Sequence, residues 1–325
     1  MLLNDTMADV IPMKSHFIAY YPLFLVIGGT ILNVFTYFIL SRIPCGSRRK
    51  QATIRYMRYI AIFDILMLYG WNLDHFMANV HGFLLQKSSI LLCKLLSFLN
   101  YFSAHCSAWL RVLMCFDRYM SLSRLHRKWF NHSRDVFVLV SSIILVSSIF
   151  NGHLLIFACF REDNGRINVN ARLYQIYPLW DYVNLLVYNC LPFFLMVVCN
   201  GAVIHHLIHV QQSSSVGASR IQHRAISMTL VLTTFLFLLM TIPGTVSFAF
   251  FYSTASLNIL YVLDSMLYTY HILSFPLYLI TFTQFRDQFI EIVTGQRKQR
   301  SASIQSRSLF DPASRGRPSA CVTLL

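Results

Sequence analysis

Apolar positions in this chain cluster into long uninterrupted runs and seldom alternate with polar ones. Seven runs stand out, at 16–41, 54–79, 89–122, 134–158, 182–210, 224–252 and 258–281. A bilayer core takes about 20 mostly apolar residues per helix, so the pattern predicts an all-α membrane protein, a bundle of seven transmembrane helices. Lys94, Asn100, His105 and Arg111 interrupt the third run. Polar groups at membrane depth face a protein interior or a water-filled cavity, which predicts a central place for that helix. Past the seventh run, Phe282, Phe285, Phe289, Ile292 and Val293 recur at helical spacing beside Arg286, Arg297, Lys298 and Arg300. That is the pattern of an amphipathic eighth helix over 283–294, lying at an anionic membrane surface or packed on protein.

Composition agrees. Only 12% of the 325 residues are charged while 56% are hydrophobic, against about a quarter charged in soluble domains, too few polar side chains to cover a water-soluble globule. Lys and Arg outnumber Asp and Glu by 27 to 13. They lie between the apolar runs and give no reason to expect a nucleic-acid partner. Twenty of them fall on one side of the predicted membrane and six on the other, and cytoplasmic loops retain the excess. The expected topology is a multi-pass plasma-membrane protein with an extracellular N-terminus over 1–15, a transmembrane domain over 16–282 and a disordered cytoplasmic tail over 295–325. Asp5 and Asp9 precede the first run without a cationic segment, so the first helix is expected to act as its own insertion signal. Asn4-Asp5-Thr6 is a glycosylation sequon on the outer face.

Of the eight cysteines, Cys106, Cys115, Cys190 and Cys199 read as small buried apolar residues. Cys93 opens the third run and Cys159 follows the fourth, both on the oxidising side, where a disulfide persists. Asn164-Gly165 then sits between short segments as in a tight hairpin turn; the other reading of that loop is an irregular polar segment. No H-E-x-x-H spacing or nucleophile–base pair marks an enzyme, and the buried polar residues call for no cofactor or metal.

Further residues carry a resemblance. Asp117-Arg118-Tyr119 ends the third run, and Cys93 lies 25 positions before Arg118. Ile60-Ala61-Ile62-Phe63-Asp64 marks the second run, Asn33 the first, and Pro192, Pro243 and Pro276 the fifth, sixth and seventh; Phe285-Arg286 follows Pro276 by nine. In these features the chain resembles a rhodopsin-family (class A) G-protein-coupled receptor, with a pattern most similar to invertebrate peptide-receptor-like, FMRFamide-type and orphan chemosensory members. The resemblance implies a ligand-activated receptor that promotes nucleotide exchange on a heterotrimeric G protein. Arg118 would rest against Asp117 until an agonist frees it, and the three prolines would kink their helices.

Several positions depart from that pattern. Thr241 replaces the sixth-helix tryptophan, Asn200 a fifth-helix tyrosine, and Phe275-Pro276-Leu277-Tyr278 stands for N-P-x-x-Y. In the resembled family the aspartate matching Asp64 helps hold a sodium ion with polar residues of the third and seventh helices. Here Ser107 is retained, His271 and Phe275 occupy the seventh-helix positions, and Arg111 stands one turn from Ser107. A lone charge at mid-membrane costs about 2.5–3.5 kcal/mol on the lenient scale, so Asp64 and Arg111 each require a partner. Arg111 is expected to pair with Asp64 in place of the ion, or else to bond backbone carbonyls.

Asn100 stands where amine receptors carry an aspartate, and the seventh run has no retinal-binding lysine. Those exclusions leave a polar and aromatic outer set, with Asp74, Asn100, Asp264 and Tyr268 as candidate ligand contacts, suited to a peptide bearing amide, aromatic and basic groups. A small-molecule chemosensory ligand is the alternative. In the tail, serines among arginines are candidate phosphorylation sites for arrestin, and Thr323-Leu324-Leu325 resembles a PDZ ligand. A seven-helix channel would have the opposite orientation, and a secondary transporter would show repeated halves, of which the sequence has none.

Overall fold

The computed structural model describes residues 16–43, 48–122, 133–169, 179–211 and 218–295. In chain order the helices are α1 (His16–Arg42), α2 (Arg48–Leu68), α3 (Asn72–His81), α4 (Ile90–Leu122), α5 (Ser133–Phe157), α6 (Leu179–Asn184), α7 (Leu191–Gln211), α8 (Ala218–Phe250), α9 (Leu257–Tyr270), α10 (Ser274–Thr281) and α11 (Thr283–Thr294). Leu85–Lys87 forms a 3₁₀ turn, and β1 (Phe160–Arg161) and β2 (Ile167–Asn168) an antiparallel hairpin.

Polarity in this bundle is inverted relative to a soluble protein. Phe24, Ile31, Leu145, Val146, Ile149, Phe194 and Phe235 are exposed, whereas Asn33, Asp64, Ser107, Arg111 and His271 are buried. Only an apolar solvent makes that arrangement favourable. Among the described residues five helices are long and apolar enough to cross a membrane: Ala19–Arg42, Ile90–Met120, Asp135–Phe157, Leu179–His206 and Met228–Phe250. The architecture is that of an all-α membrane protein.

The second and seventh apolar runs differ from the expected single helices, because each is broken in two. Tyr69 and Gly70 donate from the backbone to Leu66 O at 3.2 Å and Met67 O at 3.1 Å, a tightened turn between α2 and α3. Gly70 is required there: a Cβ would stand 2.6 Å from Asn100 Oδ1 and 3.0 Å from Asn100 Cα. The side-chain amide of Asn72 donates to Leu68 O at 3.0 Å, satisfying a carbonyl freed by the break. In the seventh run Pro276 has no N–H for Ile272 O. His271, Ile272 and Leu273 accordingly donate three residues back, at 3.1, 3.0 and 3.2 Å, between α9 and α10.

Pro192 acts similarly in the fifth run. It lacks the N–H that would reach Tyr188 O, and Leu185–Cys190 widens into a π-helical turn between α6 and α7. The wide turn directs two consecutive residues inward, Tyr188 and Asn189, both buried. It also turns the next one outward. Cys190 is therefore exposed, unlike the buried cysteine expected from sequence, whereas Cys106 and Cys115 are buried and Cys199 is intermediate.

The central helix is α4, which packs on α2, α5 and α7. At one end Cys93 is disulfide-bonded to Cys159, with Cα atoms 6.1 Å apart. The β1–β2 hairpin pairs Phe160 with Asn168 and Arg161 with Ile167. Gly165, at φ 80°, makes the turn; its N–H donates to Glu162 O at 2.9 Å. The side chains of Asn168 and Asn164 donate to the Glu162 carboxylate at 2.8 and 3.1 Å, holding it below the usual carboxylate range. At the opposite end, α11 splits its apolar stripe. Phe285 packs edge-on against Phe275 and Tyr278, and Phe289 against Phe275, while Ile292 and Val293 are exposed.

Candidate functional site: a buried ion-pair hub between two ends of the bundle

Asp64 lies on α2, fully buried, and its carboxylate gathers four donors, from α4, the α9–α10 break and α10. Arg111 Nη2 on α4 is 2.7 Å from Oδ2. Ser107 Oγ, one turn before Arg111, donates to Oδ1 at 2.6 Å and also contacts Arg111 Nη1. His271 Nδ1, in the α9–α10 break, is 2.7 Å from Oδ1, and Ser274 Oγ on α10 donates to Oδ2 at 3.4 Å. Charged donors to a desolvated carboxylate make the stronger class of hydrogen bond, and a buried charge without them would be prohibitive.

The hub reaches further through His271. With its proton on Nδ1 directed at Asp64, Nε2 accepts from Tyr188 OH at 3.2 Å. The amide of Asn33 on α1 donates to His271 O at 3.0 Å and Gly29 O at 3.0 Å. The Arg111 guanidinium lies over the Tyr270 ring at 4.8 Å, a cation–π contact, and Tyr270 packs edge-on against Phe237. One carboxylate thus ties together α1, α2, α4, the π-helical turn, α9 and α10.

A sodium ion does not fit these residues. Both Asp64 oxygens are occupied by Arg111, Ser107, His271 and Ser274, and the guanidinium already supplies the compensating positive charge. Arg111 on Asp64 matches the pairing expected from sequence; the role of His271 and Tyr188 was not legible there. In the sequence His271 stands only as a departure from a motif. Its signal was one histidine, in an apolar run, five residues before a proline.

Between α7 and α8 the departures from the resembled pattern form their own bonds. Thr241 Oγ1 donates to Asn189 Oδ1 at 2.6 Å, and the Asn189 amide donates to Thr245 Oγ1 at 2.7 Å. Asn200 donates to Thr234 Oγ1 at 2.8 Å. Of the three prolines, Pro243 lies inside α8, while Pro192 and Pro276 follow the irregular turns. Pro22 is a further proline, inside α1.

At the end away from the disulfide, Arg118 is 3% exposed, and among the described residues its Nε and Nη2 have no hydrogen-bond partner. Neighbouring Asp117 accepts from Thr53 Oγ1 on α2 at 3.3 Å, and Tyr119 is half-buried. At the disulfide end the four candidate ligand residues divide. Asp74 accepts from Gln86 N at 3.0 Å and from Gln86 Nε2 at 2.7 Å, which clasps the loop to α3. Tyr268 OH donates to Asn100 Oδ1 at 2.6 Å, buried. Asp264 faces His75, with Nδ1 to Oδ2 at 3.2 Å. Among the described residues no group of three His, Cys, Asp or Glu comes together to hold a metal. Asn4, the serines of the tail and Thr323-Leu324-Leu325 lie outside the described residues.

Comparison with known proteins follows the motifs. The chain is similar to gonadotropin-releasing hormone receptors. Over 131 residues it is 30% identical to those of Bos taurus and Ovis aries, a stretch covering 37% of this chain and 40% of each receptor. With the receptor of Cavia porcellus it shares 27% over 135 residues, 38% of this chain and 41% of that one. The match thus spans about two fifths of these curated relatives. No family model matches the chain. These relatives are receptors, not enzymes.

Proposed function

We propose that this chain is a plasma-membrane receptor with seven membrane-spanning helices and an extracellular N-terminus, which binds a peptide at its disulfide end and promotes nucleotide exchange on a heterotrimeric G protein at the other. The observation that carries the proposal is the Asp64 hub. It links six structural elements through one buried carboxylate between a disulfide-tied rim and the buried guanidinium of Arg118. A packed polar network of that kind has discrete arrangements, and a ligand that binds one arrangement more tightly shifts its population. The peptide class is supported by the similarity to gonadotropin-releasing hormone receptors. The hairpin fits as well, forming a rim that main-chain and side-chain groups of an extended ligand could meet.

In this reading α11 lies along the cytoplasmic leaflet through its exposed Ile292 and Val293. Asp117, Arg118 and Tyr119 form the coupling surface, Asn4 is glycosylated, and arrestin and a PDZ protein are further partners proposed from the tail sequence. The test is a calcium or cyclic-AMP readout in cells expressing the chain, screened with a neuropeptide library and with Arg118→Ala as the control. A peptide response lost in that control at equal surface expression is the expected result. A response unaltered by it refutes G-protein coupling through Arg118.

A further inference from the structure

The polar residues at the disulfide end are not equivalent. Asp74 is 1% exposed, and both its oxygens are engaged by Gln86. Asn100 and Tyr268 satisfy each other. These three are committed to holding the chain. Asp264 is different. Its side chain is 5% exposed, and among the described residues Oδ2 is buried with no aligned hydrogen bond. Among the described residues it faces the His75 imidazole, Nδ1 at 3.2 Å, a contact within ion-pair distance but without the alignment of a hydrogen bond. His75 is the solvent-facing member, 21% exposed, with its ring edge-on to Tyr261 at 5.4 Å. The pair bridges α3 and α9, with Asp264 eight residues, about 12 Å, below the Ser256 cap of α9.

A carboxyl group this dry stays charged only beside a cation that also hydrogen-bonds to it, and otherwise holds its proton. Asp64 shows the satisfied case in the same molecule, with a guanidinium at 2.7 Å. Asp264 has a part-exposed imidazole in that place, an exchangeable partner that carries charge only when protonated. A guanidinium would offer two parallel donors in the geometry a carboxylate accepts best.

We propose that Asp264 is the cation anchor of the ligand site: a guanidinium or ammonium group of the peptide displaces the His75 imidazole and pairs with the buried carboxylate, while Tyr261 flanks it. Asp74 and the Asn100–Tyr268 pair shape the site without touching that group. The inference rests on the receptor reading above and narrows it to basic peptides.

Two measurements test it. The full chain in lipid nanodiscs, without ligand, is unfolded thermally as wild type and as Asp264→Asn. An anchor awaiting its partner gains nothing from its charge in the free protein, so the melting temperature holds or rises. A fall of more than about 5 °C, roughly 1–2 kcal/mol for a chain of this size, would make the His75–Asp264 pair a structural clamp and overturn the proposal. In cells, peptide amides are presented in pairs differing only by Arg against citrulline or Lys against norleucine. The basic member is expected to be at least ten-fold more potent, and Asp264→Asn to abolish the difference while Asp264→Glu retains part of it. Activation indifferent to the swap overturns the anchor and leaves the peptide reading standing. Silence from every pair, with the chain at the cell surface, overturns both.

Discussion

Replacing Arg111 by methionine removes the cation of the Asp64 hub and keeps most of the side-chain volume. Asp64 then retains Ser107, His271 and Ser274 as donors but no charge to balance its own at full burial. Breaking a buried pair from one side costs about 3–5 kcal/mol, on the order of 6–20 °C of melting temperature at roughly 2–4 °C per kcal/mol. Asp64→Asn leaves the guanidinium stranded and should cost a similar amount, offset in part by the Tyr270 ring beneath it. The double variant has no buried charge left, so the two losses should not add. A coupling of at least about 2 kcal/mol is expected from the cycle. A thiol-reactive fluorophore provides the assay, since Cys106 and Cys115 are buried and react as the bundle opens; a background with Cys45, Cys190, Cys199 and Cys321 replaced by alanine leaves these two as the reporting thiols. If the double variant loses the full sum of the singles, Arg111 and Asp64 act independently and the hub as described does not exist.

Among the described residues the Tyr270 hydroxyl is buried without a hydrogen-bond partner, so Tyr270→Phe should leave thermal stability unchanged or raise it by up to about 1 kcal/mol; Tyr270→Leu, which also removes the ring under Arg111, should lower it in the same scan. Gly70→Ala sets a methyl against the Asn100 backbone and side chain, and such overpacking costs about 1–3 kcal/mol; Asn100→Ala in the same chain should recover only part, because the clash with Asn100 Cα persists. Glu162 is held below its ordinary range by Asn168 and Asn164, so the hairpin gains stability above the unfolded-state value near 4.5 and loses it as pH falls through the lower folded value. Amide exchange at Gly165 and Arg166 should report extra opening in that acid window, and Glu162→Gln should remove the pH dependence.

Parts of this were legible from residues alone. Runs of apolar residues long enough to cross a bilayer are a property of sequence, because a transmembrane helix must satisfy its own backbone. So is the requirement that Asp64 and Arg111 find partners, since the penalty for burial belongs to each charge before any fold is specified. The side on which Cys93 and Cys159 are expected to lie rests on the distribution of Lys and Arg. The partner of a buried group is another matter, because it depends on azimuth. Pro192 and Pro276 each remove one backbone donor, and the turns that result rotate Tyr188, Asn189 and His271 toward the axis by amounts no regular helical wheel contains. The same holds for Gly70, whose necessity is set by the approach of Asn100 from another helix. Asp74 and Asp264 read alike in the sequence, as two acids in outer halves. Only the packed bundle separates them, one locked to Gln86 and the other facing the His75 imidazole. Sequence determined which groups could not stand alone in lipid; the tertiary structure decided whom they met, because a hydrogen bond requires a position within a few tenths of an ångström and helix irregularities set that position.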